Sequence, residues 1–227
     1  MSHQLRWLGH AAWELTTADG TVLLFDPWLR GNPKAAAKIE DLRADYVLIT
    51  HDHGDHAGDL PAVVQQTGAT AIAQPETISA YKEKGLPGDK TIDMNIGGSV
   101  ALGNITVTMT SAEHSAATGT PAGYIVTLSD GKRIYNAGDT GIFPGMALLG
   151  ELYPIDVALL PIGSHYTMDA YQAAHALRLL KPKVAIPQHF GTFPLLAASA
   201  DEFVALAKET APDTQVVVLE PGETYQF

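Results

Sequence analysis

The sequence contains no cysteine, and this absence limits the chemistry open to the protein. None of its 227 residues can form a disulfide or supply a thiolate, so any bound metal must be held by nitrogen and oxygen. No stretch approaches the roughly 18 apolar residues that a membrane span needs. The first residues, Met1 to Arg6, lack the apolar core of a signal peptide. These features predict a cytoplasmic protein without a membrane partner.

Positive charge is also scarce. The chain has 14 Lys and Arg against 25 Asp and Glu, a formal net charge of -11, which disfavours a protein that works by neutralising nucleic-acid phosphates. We therefore expect a small-molecule substrate and no nucleic-acid partner, and leave a homo-oligomer open. Because no linker rich in Pro, Gly or Ser interrupts the chain, residues 1–227 are predicted to form one domain.

What the chain does contain is a dense cluster of metal-binding side chains. His51, His53, Asp55 and His56 form the pattern H-x-H-x-D-H directly after the apolar run Tyr46 to Ile49. Alternate residues of a strand point the same way, so His51 and His53 can bind one cation where the strand ends. If the chain turns at Gly54, Asp55 and His56 face elsewhere and suit a second cation such as zinc, manganese or iron.

Further ligand-type residues follow other predicted strands. The alternating strand from Ile105 to Thr110 leads to His114, and a predicted hairpin leads to Asp139. His165 and His189 follow two short apolar runs, and His10 follows the first predicted strand. Alone, His10 would more often be structural and Asp139 a helix N-cap. Strand-end loops of layered α/β folds often assemble one site, however, so the series predicts a single cleft.

The complete pattern resembles the metallo-β-lactamase superfamily, in which H-x-H-x-D-H is followed by separate His, Asp and His residues. Three further stretches are similar to its small metal-dependent hydrolases of the UPF0173 type, which are related to ascorbate-6-phosphate lactonase: Trp7 to His10, Leu160 to Met168, and Pro187 to Pro194. The resemblance covers essentially the whole chain. It implies an α/β fold, a four-layer αββα sandwich.

The resemblance also implies two divalent metal ions, with zinc as the leading assignment and manganese or iron as alternatives. It assigns His51, His53 and His114 to the first metal, Asp55, His56 and His189 to the second, and Asp139 to both as a bridge. No cysteine is present for the second metal of a zinc β-lactamase, and no flavin domain accompanies the pattern. The implied protein is a hydrolase with a dinuclear metal site.

The predicted reaction is attack by a metal-bridged hydroxide on a small ester, lactone or phosphoester. Asp55 and Asp139 would orient the hydroxide, while His10, His165 and Tyr166 would stabilise an oxyanion or protonate the leaving group. Three alternatives stay open: a diiron redox enzyme, a phosphodiesterase or nuclease acting on RNA or nucleotides, and a non-catalytic metal-binding protein. A closed structural site would need only one metal, which weakens the last of these.

Overall fold

The computed structural model describes residues 2–227. They form fourteen strands: β1 (Gln4–Gly9), β2 (Ala12–Thr16), β3 (Val22–Phe25), β4 (Tyr46–Leu48), β5 (Thr70–Ala73), β6 (Thr91–Asp93), β7 (Ser99–Leu102), β8 (Ile105–Ser111), β9 (Ala122–Thr127), β10 (Arg133–Asn136), β11 (Val157–Pro161), β12 (Val184–Gln188), β13 (Gln215–Val216) and β14 (Thr224–Gln226). Six α-helices accompany them: α1 (Gly54–Ala57), α2 (Leu60–Thr67), α3 (Pro75–Glu83), α4 (Gly145–Leu152), α5 (Ala170–Leu180) and α6 (Asp201–Thr210). None of these helices is long and apolar enough to cross a bilayer.

Backbone contacts divide the chain into two compact units. The first unit comprises the residues up to Asn95 together with Ala116–Thr120 and Leu219–Phe227, and the second comprises Ile96–Ser115 and Pro121–Val218. Each unit is built on one seven-stranded sheet. The expectation of one domain over residues 1–227 stays a prediction.

The sheet of the first unit has the order β14-β1-β2-β3-β4-β5-β6. Strands β14 to β3 are antiparallel, and β3 to β6 are parallel. Leu24, Val47 and Ala71 are neighbours on three adjacent strands. They belong to a buried cluster that also contains Leu60 and Ile78 from α2 and α3. Because β3 and β4 run parallel, the residues that follow them emerge at the same edge of the sheet.

The sheet of the second unit has the order β13-β12-β11-β10-β9-β8-β7. Strands β7 to β10 are antiparallel and β10 to β13 are parallel. Tyr135, Leu160 and Ala185 pack with helix residues such as Leu177 and Phe203 in a second buried cluster. The carboxyl ends of β10, β11 and β12 meet at one edge, where the segments bearing Asp139, His165 and His189 begin.

Three local predictions need correction. Gly54 was expected to make a turn, but it is the first residue of α1, which follows His53 as N-cap. The sequence from Ala198 to Thr210 predicts a last helix over that whole range, but α6 begins at Asp201. The amide of Ala197 donates to Gly163 and its carbonyl accepts from Gly191, which holds the preceding segment outside the helix. The last strand was expected at Val216 to Leu219. The structure has β13 at Gln215–Val216 and adds β14, which pairs with β1.

Candidate metal centre

The ligand loop of the first unit is anchored by Asp26, which lies just after β3. The side chain of Asp26 is fully buried. Its Oδ1 accepts a hydrogen bond from the amide of Thr50 at 2.8 Å, and its Oδ2 accepts one from the Thr50 hydroxyl at 2.6 Å. Since β3 and β4 are adjacent parallel strands, this pair ties the start of the histidine loop to the neighbouring strand end.

Asp26 also orients His56, which lies on α1. The Nδ1 of His56 is 2.9 Å from Asp26 Oδ2, and both side chains are fully buried. An ionised carboxylate can only accept, so Nδ1 carries the proton, and an imidazole that binds metal in this orientation would use the lone pair on Nε2. Histidines that bind metals in proteins are usually oriented by such a carboxylate. The sequence analysis did not select Asp26.

His51 and His53 have nitrogens that converge. His51 Nε2 and His53 Nδ1 are 3.0 Å apart, while His51 Nδ1 lies 3.0 Å from the Thr50 hydroxyl. Two nitrogens bound at about 2.0–2.1 Å to one tetrahedral zinc lie roughly 3.3 Å apart. The observed spacing therefore suits two ligands of one cation, although β4 ends at Leu48 and both residues lie in the loop beyond it.

His10 lies beside Asp55 and His56. Its Nε2 is 3.2 Å from Asp55 Oδ2, and its ring meets the edge of Trp28 at a centroid distance of 5.4 Å. Each of His10, Asp55 and His56 offers a ligand atom within 4.8 Å of the other two. The structure thus brings His10 to the ligand loop, whereas its role as a helper rather than a ligand stays a prediction.

Gly9 permits the backbone that places His10. Its φ is +103°, and a Cβ added there would lie 2.3 Å from the carbonyl oxygen of Lys34. Gly9→Ala should therefore lower the free energy of unfolding by more than the 1–3 kcal/mol typical of backbone strain alone. Chemical denaturation measures this loss. Gly20→Ala is the matched control, because Gly20 has φ +92° but nothing within 4 Å of an added Cβ. Equal losses in the two variants would show that the Lys34 contact is unimportant.

In the second unit, Asp139 faces two histidines. Its Oδ2 is 3.0 Å from His189 Nε2 and 3.6 Å from His114 Nε2. Asp139 and His189 are almost fully buried, and His114 is half-buried. These separations bracket the roughly 3.3 Å expected between two ligands of one tetrahedral cation. Asp139 Oδ2 is therefore close enough to each imidazole to bind a cation together with it.

Hydrogen bonds between two turns place His114 near Asp139. The amide of Glu113 donates to Thr140 Oγ1 at 2.9 Å, and the amide of Gly141 donates to the Glu113 carbonyl at 3.0 Å. Glu113 directly precedes His114, and Thr140 directly follows Asp139, so these hydrogen bonds join the neighbours of the two ligand candidates. Asp139 is not a helix N-cap, since α4 begins six residues later with Pro144 as its N-cap.

Several residues of these loops have a backbone conformation that side chains rarely adopt. His10, Asp26 and His189 have φ values of +58°, +41° and +59°. Such conformations cost about 1–3 kcal/mol each and persist where surrounding contacts enforce them, often at functional sites. This backbone strain supports His10 and His189 as candidate site residues, and it indicates Asp26 as a further one.

His165 and Tyr166 lie in an exposed turn after β11. Their rings meet edge to face at a centroid distance of 4.6 Å. The turn is closed by the Ser164 amide, which donates to the Met168 carbonyl, and the adjoining Gly163 packs against the His189 backbone. Tyr166 is 53% exposed. The structure therefore places this pair on the surface near the His189 turn, and the expected catalytic roles stay predictions.

The electrostatics of the ligand loop affect a nearby phenol. Burial, and then the negative charges of Asp52 and Asp26, raise the pKa of Tyr81 to about 12. Tyr81 is therefore neutral at physiological pH.

The ligand loop combines imidazole nitrogens and carboxylate oxygens with no sulfur, and this donor set fits zinc, manganese or iron.

Two mixed sheets, each flanked by helices and bearing histidine and aspartate at strand ends, define an α/β fold that carries a candidate metallohydrolase centre. Residues 21–190 match the family model of the beta-lactamase superfamily domain. A UPF0173 metal-dependent hydrolase from Methanopyrus kandleri is 44% identical over 98% of this chain and 99% of its own length. Another, from Archaeoglobus fulgidus, is 44% identical over 99% of both chains.

A solved structure agrees with these sequence matches. The structure of a novel metallo hydrolase from the hyperthermophilic archaeon Ignicoccus hospitalis superposes with a TM-score of 0.91, is 39% identical, and covers 100% of this chain and 99% of its own. The chain belongs to the β-lactamase superfamily, among the UPF0173 metal-dependent hydrolases. The predicted family, the metallo-β-lactamase fold class and the assignment as a metal-dependent hydrolase are confirmed.

Proposed function

We propose that this hydrolase cleaves a small ester, lactone or phosphoester, using two divalent metal ions bound by the seven ligand residues. The ligands are the histidines and aspartates predicted above: His51, His53, Asp55, His56, His114, Asp139 and His189. When bound, two such ions lower the pKa of water toward neutrality and polarise the oxygen of the scissile group. The remaining chemistry belongs to the side chains of the protein.

The observation that carries this proposal is the position of Asp139. A single oxygen, Oδ2, lies 3.0 Å from His189 and 3.6 Å from His114, two imidazoles that the family resemblance assigns to different metals. These distances fit one ion held by all three residues as well as two ions with Asp139 between them. The number of ligand residues favours two ions, because four ligands complete a tetrahedral zinc and seven are proposed here.

Asp55 and His10 are suited to proton transfer. Their closest atoms are 3.2 Å apart, so a proton taken up by the Asp55 carboxylate can pass to the His10 imidazole or be shared with it. His10 is buried against the edge of Trp28, which limits its motion. We assign this pair to accepting and returning the proton of the attacking water, with His165 and Tyr166 available to the leaving group from the surface.

Two loops, residues 28–32 and 116–121, are firmly held by carboxylates. Asp59 Oδ2 accepts hydrogen bonds from the amides of Leu29 and Arg30 at 2.7 and 2.8 Å. The carboxylate of Asp52 accepts from the amide of Ala117 at 2.8 Å and the hydroxyl of Thr118 at 2.7 Å. Because a carboxylate holds each loop in place, we expect the loops to form fixed walls that select a small substrate. A mobile lid that closes over the substrate is disfavoured.

The purified protein should bind about two metal ions per chain, because seven ligands exceed what one tetrahedral ion uses. Elemental analysis after reconstitution with zinc, manganese or iron measures this number. Each preparation is then assayed against a lactone, a phosphodiester and a thioester. We expect hydrolysis of at least one class to depend on the second equivalent of metal.

The opposing results are distinct. Saturation at one metal per chain under excess metal, with His189→Ala leaving the number unchanged, would contradict the dinuclear proposal. Iron binding with visible absorbance and no hydrolysis would favour redox chemistry. Submicromolar binding of single-stranded RNA at physiological salt, with a steep salt dependence, would favour a nuclease despite the charge of -11.

A further inference from the structure

A buried asparagine at the end of β10 joins two of the ligand-bearing turns. Asn136 Oδ1 accepts a hydrogen bond from the amide of Gly138 at 3.0 Å and another from Gln188 Nε2 at 3.1 Å. Asn136 is 1% exposed and Gln188 is fully buried. One amide oxygen therefore contacts two segments that are 50 residues apart in the chain.

Each of its two partners directly precedes a ligand candidate. Gly138 is followed by Asp139, and Gln188 is followed by His189. The strand β11 lies between β10 and β12, so the side-chain bond spans the middle strand and links its two neighbours. Asp139 and His189 each come one residue after a hydrogen-bond partner of Asn136. Their side chains meet, with Asp139 Oδ2 3.0 Å from His189 Nε2.

The asparagine itself has little freedom to move. A Cβ on Gly123 would lie 2.7 Å from the Asn136 carbonyl and 2.8 Å from Thr110 Oγ1, so the neighbouring strand packs closely against its backbone. The Nδ2 of Asn136 has no hydrogen-bond partner among the described residues. The contribution of this side chain is thus a neutral acceptor oxygen, which adds no second negative charge beside Asp139.

We propose that Asn136, together with Gln188, is a positioning residue that sets the distance between Asp139 and His189. This inference rests on the proposed role of those two residues as metal ligands. Without the link, β10 and β12 would lose the side-chain bond that ties them across β11, while the backbone ladders of β11 would remain. The ligand spacing would then relax, and the metal shared by Asp139 and His189 would bind less tightly.

The test compares metal affinity, local structure and stability in Asn136→Ala and Gln188→Met. Gln188→Met keeps the length of the side chain but removes the donor. Each metal-free variant is titrated with zinc in competition with a chromophoric chelator. We expect one of the two sites, the one that includes His189, to lose about 10- to 100-fold in affinity, the range for losing an outer-shell partner. Amide hydrogen exchange at Gly138 should accelerate in Asn136→Ala. The double variant should lose less than the product of the two single effects, because both remove one bond.

Thr108→Val is the matched control. Thr108 is also buried in the second unit, six residues before His114 on β8, and its hydroxyl lies 2.7 Å from Ser99 Oγ on the edge strand β7, which carries no ligand candidate. It should lower the thermal midpoint without changing zinc affinity. If Asn136→Ala and Gln188→Met behave like this control, with zinc affinity within twofold of the parent and Gly138 still protected, the positioning role is wrong. His189→Ala separates the two proposals: if it retains two zinc ions, the ligand assignment itself has failed.

Discussion

Replacing His114 or His189 with alanine should remove about one metal ion per chain and most of the hydrolytic activity. Each histidine presents Nε2 to the same oxygen of Asp139, at 3.6 and 3.0 Å. Loss of either imidazole leaves a carboxylate facing an incomplete coordination sphere, and no sulfur ligand can substitute for the missing nitrogen. Elemental analysis and steady-state kinetics on the same preparations measure both effects.

His10→Ala and His165→Ala should behave differently from these two. Each should keep nearly two metals, while kcat/KM falls by about ten- to a thousandfold, the range for losing a proton-transfer or oxyanion partner. His10 contacts Asp55, and His165 lies in an exposed turn against Tyr166. His175→Ala is the matched control, since this α5 residue contacts Tyr171 and has no proposed role. It should change neither quantity.

A reversal of this pattern would require a different site. If His165→Ala lost a metal while His189→Ala kept both, the last ligand would come from the turn after β11 rather than from the turn after β12. If His10→Ala lost a metal, its position within 4.8 Å of the ligand atoms of Asp55 and His56 would reflect coordination rather than proton transfer.

The main ligand candidates could be selected from the sequence because their signal is local. H-x-H-x-D-H is contiguous, and His114, Asp139 and His189 follow strands whose apolar runs are evident in the sequence. The same rule placed His165 in the series, although its side chain lies in an exposed turn. Position after a strand indicates which edge of a sheet a residue reaches, but not the direction in which its side chain points.

The supporting residues could not be predicted in the same way, because their partners are distant in the chain. Asp26 contacts His56 across 30 residues, and Asn136 contacts Gln188 across 52. Each contact depends on which strands are neighbours and in what register they pair. The strand β14 was missed for a related reason, since its three residues are defined only by pairing with β1. Asp26 did carry one signal, a carboxylate directly after a strand.

Asp26→Asn should weaken metal binding by about 10- to 100-fold and lower the free energy of unfolding by about 1–3 kcal/mol. The carboxylate accepts from three donors: the Thr50 amide, the Thr50 hydroxyl and His56 Nδ1. An asparagine of the same size has one oxygen, so its NH2 group must face either the Thr50 amide or both the Thr50 hydroxyl and His56 Nδ1. If the NH2 faces His56, the imidazole must change tautomer to accept from it, and the proton then moves to Nε2, the nitrogen that would bind metal.

Asp45→Asn provides the comparison for Asp26→Asn. Asp45 is exposed, and its side chain accepts one hydrogen bond, from the Val22 amide at 2.8 Å, on the same β3–β4 connection. Its replacement should cost at most about 1 kcal/mol and leave metal affinity unchanged. Chelator competition and denaturant unfolding on both variants separate the two effects of Asp26. A loss of stability with unchanged metal affinity would mean that Asp26 supports the fold through Thr50 alone. The alternative outcome is a loss of affinity together with a change of tautomer in the metal-free protein, in which NMR shows that the proton of His56 has moved from Nδ1 to Nε2. This result would establish that Asp26 determines which nitrogen His56 offers to the metal.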